Sequence, residues 1–122
     1  KQADQILAAS FVVARPTASY LRKQDNQIVT FVITGASQGR DGDEDRACGE
    51  YIEALIRGER ADPEIFTQRV WKSTVGLSFM SGKNKNLRKE DINLSVNVDL
   101  FPFYLPIQMG YNSLFMTPEL FS

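Results

Sequence analysis

Between two arginines the chain reads Arg40-Asp41-Gly42-Asp43-Glu44-Asp45-Arg46, which places four carboxylates within five positions. Carboxylates at that density cap a helix N-terminus, pair with neighbouring cations, or share a hard metal ion through their oxygens. Glu44, Cys48 and Ile52 stand at i, i+4 and i+8. They therefore fall on one line of a helix, with Glu44 continuing the apolar stripe at the first turn. That position directs Glu44 into the crevice beyond the preceding strand, where open α/β sheets take ligands. Asp45 stands one position round the helix and can share a cation with Glu44. Mg²⁺ takes one or two protein carboxylates and completes its shell with water and substrate oxygens. Capping and the helix dipole, at roughly 0.3 to 1 kcal/mol each, account for two of the four acids. The remaining crowding of like charge calls for a cation, or for Arg40 and Arg46 in its place.

Two absences narrow the chemistry further. The chain has no histidine, and Cys48 is its single cysteine. No Ser-His-Asp or Cys-His couple, no Cys/His zinc site and no internal disulfide can be assembled from it. On the apolar stripe of a helix, Cys48 reads as a small core residue. Named motifs fail on spacing. Asp41, Asp43 and Asp45 begin like a calcium loop, but Arg46 stands at its sixth position and Ile52 at its twelfth. No Lys-Ser/Thr pair follows the glycines as a P-loop requires. Thr34-Gly35-Ala36-Ser37-Gln38-Gly39 matches the start of the nucleotide loop of short-chain dehydrogenases. The match then breaks: the last glycine falls at Gly42, no Tyr-x-x-x-Lys pair occurs, and the acidic run would repel a pyrophosphate.

The elements that must carry this loop are read from periodicity. Residues 6–14 (ILAASFVVA) form a nearly continuous apolar run, the pattern of a strand covered on both faces or of a buried helix segment, and a strand is favoured here. Pro16 opens a short helix through Ala18 and Leu21, which ends at the Asp25-Asn26 turn. Residues 28–34 (IVTFVIT) are rich in β-branched residues and stop at Gly35, so the two strands and the helix between them predict a parallel β-α-β pair. Residues 43–57 have helical spacing, and Asp62-Pro63 announces another helix to about Lys72. The polar, basic segment 81–89 reads as a solvated loop. Ile92, Leu94, Val96, Val98 and Leu100 alternate with polar residues at period two, which favours a strand over a short helical turn. Pro102 and Pro106 assign 103–105 to an edge or bulged strand, and 109–112 turns into 114–116 as a C-terminal hairpin. The expected fold is α/β, a three-layer α/β/α sandwich with a mixed, partly parallel sheet.

The 122 residues suit a single domain, and 43% hydrophobic against 24% charged residues predicts a packed core. A net charge of -1 gives no footprint for nucleic acid or for an anionic membrane surface. No apolar run reaches the roughly 18 residues of a bilayer span, and the start KQADQ lacks signal-peptide blocks, so the expected location is cytoplasmic.

Taken in order, Ser10-Phe11, Ala18-Ser19-Tyr20-Leu21, the stretch to Gly35, and Gly42-Asp43-Glu44-Asp45-Arg46-Ala47-Cys48 resemble the 2-phosphosulfolactate phosphatase family. Tyr51-Ile52 through Leu55-Ile56 and Gly58, the helix from Asp62 to Val70 with Ser73, Glu90-Asp91-Ile92, Asp99 and Phe103-Tyr104-Leu105-Pro106-Ile107 continue the likeness over nearly the whole chain. The Glu-Asp-x-x-Cys element at Glu44 is its most specific part. The resemblance implies a Mg²⁺-dependent phosphatase that converts 2-phosphosulfolactate to sulfolactate and phosphate in a cleft between two halves, of which this chain corresponds to the C-terminal one. It assigns Glu44 and Asp45 to the metal and active site, with Cys48 in the same catalytic element. Arg40 is placed to pair with phosphate or sulfonate oxygens. Relatives carry asparagine shortly after Ser-Phe, where this chain has Val12 and Val13. That departure favours an alternative, a non-catalytic small-anion-binding or interaction domain. Partners are then the N-terminal half and a small phosphorylated or sulfonated acid, and apolar surface left open where that half docks predicts a homodimer.

Overall fold

A computed structural model describes residues 3–25, 28–36, 38–82 and 88–121. Five helices and a small sheet follow in the order β1 (Leu7–Ala8), a 3-10 turn (Phe11–Val13), α1 (Ala14–Lys23), α2 (Asp43–Ile56), α3 (Pro63–Lys72), α4 (Thr74–Ser81), α5 (Lys89–Ser95), β2 (Phe103–Met109), β3 (Leu114–Met116) and β4 (Glu119–Leu120). The chain is mixed α/β. Among the described residues every strand pairing is antiparallel, which corrects the partly parallel sheet expected from the sequence.

The centre of the molecule is α2. Its stripe of Ala47, Cys48, Tyr51, Ile52 and Leu55 is buried, and it packs against Phe11, Ala14 and Ala18 on one side and Val70 on the other. Alanines on the facing side of α1 let the two helices approach closely, while Tyr51 fills the middle between the rings of Phe11 and Phe66, at 6.0 and 5.3 Å. The sheet rests on the far side of α1, where Tyr20 stacks on Tyr104 at 4.1 Å.

The strand expected over 6–14 is mostly something else. Only Leu7 and Ala8 pair, and the apolar run then winds into the 3-10 turn and α1. A continuously apolar run suits a buried helix start as well as a buried strand, so periodicity alone cannot separate them. Pro16 sits in the first turn of α1, where its missing N–H has no intrahelical partner to lose. Val13, at the N-cap, offers no side-chain acceptor; that function comes from Asp99, whose Oδ1 accepts from the Arg15 amide at 2.7 Å. Residues 28–34 belong to no ladder, so among the described residues the expected β-α-β pair does not form.

The strand expected over 92–100 is α5 and the turn after it. Ile92 and Val96 are four apart and share one helix face toward the core, whereas Leu94 is 59% exposed, so the period-two pattern holds no second apolar partner for a sheet. A helix absent from the sequence reading, α4, starts at Ser73, whose Oγ accepts from the Gly76 amide at 3.0 Å. Gly76 is required there, because a Cβ would fall 2.0 Å from the Val70 carbonyl oxygen. The Asn26 turn and most of the loop at 81–89 lie outside the described residues.

The C-terminal hairpin forms as the sequence predicts, with Met109 opposite Leu114. β2, however, is the central strand, paired with β1 on one edge and in one register with β3 and β4 on the other, in place of the edge or bulged strand expected. Pro106 is tolerated for a definable reason. Ile107 donates to the Ile6 carbonyl at 2.9 Å, so Pro106 is a non-hydrogen-bonded position toward β1 and its missing donor faces the other edge. β3 and β4 keep one continuous register along β2, and the gap between them falls at Thr117 and Pro118, where that donor would have been used.

Candidate functional site

The loop before α2 closes on itself through Gly42. This N-cap residue has φ +69°, and a Cβ on it would lie 2.8 Å from both the Cβ and the amide nitrogen of Ala36, so glycine is needed for conformation and for space. The close approach brings Thr34 and Gly35 onto the first turn of α2.

The four carboxylates then separate into two pairs. Asp41 Oδ1 accepts from the Asp43 amide at 3.0 Å and from Thr74 Oγ1 at 3.3 Å, while the Asp41 amide donates to the same hydroxyl at 3.2 Å. Asp43 receives the Arg69 guanidinium in a forked contact, Nη2 to Oδ1 at 2.7 Å and Nε to Oδ2 at 3.1 Å, and a third arm of Arg69 reaches Glu50. The Arg69 hydrogen bond holds the Asp43 carboxyl below its ordinary range. Asp41 and Asp43 are thus occupied in fastening α2 to α4 and α3, and they are the two acids that capping and pairing explain.

Glu44 and Asp45 converge elsewhere. A Cβ on Gly35 would lie 2.7 Å from Glu44 Oε1 and 2.9 Å from Asp45 Oδ2, so both carboxylates lean over the bare backbone of that glycine. Asp45 Oδ2 accepts from Thr34 Oγ1 at 3.1 Å. Glu44 Oε2 is buried and has no hydrogen-bond partner. A buried carboxylate oxygen without a donor costs at least about 1–3 kcal/mol, a cost that a bound cation or donor removes.

Cys48 lies one turn beyond Glu44 in the core, and burial, then the Asp45 charge, push its thiol up to about 12. It is a neutral thiol near pH 7, suited to packing beside the carboxylates and unsuited to nucleophilic attack. Arg40 is exposed in the loop. The structure therefore brings Glu44, Asp45 and Cys48 together, and the Glu44–Asp45 pair fits the two-carboxylate contribution to a Mg²⁺ shell. Among the described residues no group of three or more His, Cys, Asp or Glu is arranged to hold a metal ion.

Thr34 and the Gly35 cradle were legible as part of a glycine loop but not as partners of Asp45 and Glu44. Thr74 and Arg69 carried no signal, because each meets the loop across 26 or more positions of chain. No helix among the described residues is long and apolar enough to cross a membrane. No protein-family model matches this chain, and neither a curated protein nor a solved structure does.

Proposed function

We propose that the chain supplies the carboxylate half of a Mg²⁺-dependent phosphatase site, as the C-terminal half of a two-domain cytoplasmic enzyme resembling the 2-phosphosulfolactate phosphatases. The observation that carries this reading is the buried, unpartnered Glu44 Oε2 beside Asp45 over Gly35. When bound, the cation supplies charge to polarise a phosphoryl group and to position a water for attack. Glu44 and Asp45 hold it. Thr34 orients Asp45, Arg69 and Thr74 fix the turn from which both carboxylates project, and Arg40 meets the phosphate or sulfonate oxygens of a small acid substrate. A three-layer α/β/α arrangement completed by the N-terminal half belongs to the same reading.

A second reading, a non-catalytic anion-binding or interaction domain, is favoured by Val13. With Val12 it stands where the resemblance expects an asparagine nearby, and its apolar side chain is fully buried.

A Mg²⁺ titration followed by backbone amide NMR separates the two. Saturable shifts confined to 34–48, lost in Glu44→Gln and Asp45→Asn, are expected for the phosphatase half-site. Amides that do not respond at millimolar Mg²⁺ return the carboxylates to a structural role.

A further inference from the structure

Residues 28–34 carry six side chains that are β-branched and one phenylalanine, an unbroken strand sequence, yet among the described residues none of 28–33 donates or accepts a hydrogen bond. One face is in use: the Phe31 and Ile33 side chains lie against Gly49 of α2, 3.5 and 3.6 Å from where its Cβ would stand. The other face is open, with Ile28 84% and Val32 79% exposed. A half-seated strand with both edges unpaired is a template for another strand.

The whole molecule carries the same imbalance. Its accessible surface is 8756 Å². A monomer of 13.8 kDa exposes about 6,600 Å². The excess of about 2,100 Å² per chain is spread over several apolar side chains, Met109, Tyr111 and Leu120 as well as Ile28 and Val32, and the segment 28–34 carries a part of it.

We propose that residues 28–34 pair antiparallel with the same segment of a second copy, about a two-fold axis through Phe31. The sequence is self-complementary in that register. Val29 meets Ile33, Thr30 meets Val32 and Phe31 meets its own copy, so each cross-strand contact joins β-branched or aromatic side chains. Odd residues of both strands fall on one side of the ribbon, which keeps Phe31 and Ile33 of each copy on its own α2. The ribbon forms about six interchain hydrogen bonds for groups that have none within the chain. The contact is isologous and closes on itself, so it makes a dimer rather than a filament. Of the ribbon residues, Thr34 alone also bonds to the carboxylate pair, through Asp45.

Sedimentation and hydrogen exchange of the purified chain test it. A dimer is expected, with protection on alternate amides of 28–34 that grows with concentration. Thr30 and Val32 are exposed, so changing both leaves each chain's own packing intact. Thr30→Lys with Val32→Lys sets like charges opposite one another and weakens the dimer at least about tenfold. Thr30→Glu with Val32→Glu does the same, and mixing the two variants restores a heterodimer. A monomeric wild-type chain, a dimer indifferent to these changes, or a mixture that fails to pair overturns the proposal.

Discussion

Glycine at position 35 and glutamate at 44 are coupled by distance rather than by sequence neighbourhood: a methyl group on Gly35 would enter the space of both Glu44 and Asp45. Gly35→Ala pushes the flexible carboxylates aside at small cost to the fold, and the expected outcome is a Mg²⁺ affinity lowered about tenfold with little change in melting temperature, measured by titration and thermal unfolding. Cys48 gives a second residue-level test. Its thiol is raised from the ordinary 9.0 to about 12, so at pH 8 it is neutral as well as buried. A disulfide reagent should modify it at least about a hundredfold faster in denaturant than in the native protein. The same shift sets the alkaline limit. A folded-state value above the unfolded one leaves stability intact below pH 9 and removes it as pH rises toward 12, with Tyr51, raised by burial, acting in the same direction.

At the scale of elements, α2 and α3 are held by the apolar stripe and by the clasp of Arg69 on Asp43 and Glu50. Asp43→Asn leaves a half-buried guanidinium short of one partner and should lower stability at pH 7 by about 1–2 kcal/mol in urea unfolding. Asp43 is held below its ordinary 3.8, so its contribution is present above that pH and is lost as pH falls through the depressed value. Wild type and variant should therefore converge in acid. These two helices and the C-terminal hairpin were legible in the sequence because each carries its own start or turn signal: the acidic first turn and 3.6-residue stripe of α2, Asp62-Pro63, and the 109–112 turn. The segments 6–14 and 92–100 were not. In the first a uniformly apolar run hides its period, and in the second Ile92 and Val96 satisfy both a two-residue and a four-residue repeat until the core selects one. Of the candidate site, Glu44 and Cys48 on one helix line, with Asp45 one position round, could be read from helical spacing. The division of the four acids into two that clasp neighbouring helices and two that lean over Gly35 could not, since it depends on Arg69 and Thr74 arriving from distant elements.

For the whole molecule, the strand sequence of 28–34 was legible and its unpaired state was not, because a pattern specifies a strand without specifying its neighbour. A dimer built on that strand stabilises the native state by mass action. The melting temperature should therefore rise with protein concentration in scanning calorimetry, and the lysine pair at 30 and 32 should abolish the dependence. The cap of α1 has a different consequence, in the order in which the molecule can be completed. Asp99 reaches back 84 positions to finish a helix that begins at Ala14, and the amides of Asp99 and Phe101 close onto the carbonyls of Phe11 and Val12. During synthesis α1 emerges before α2 and α3 but stays frayed at its leading end until Asp99, 84 positions after Arg15, has been made. α2 and α3, adjacent in sequence and clasped to each other, are free to form first and to serve as the surface on which α1 settles.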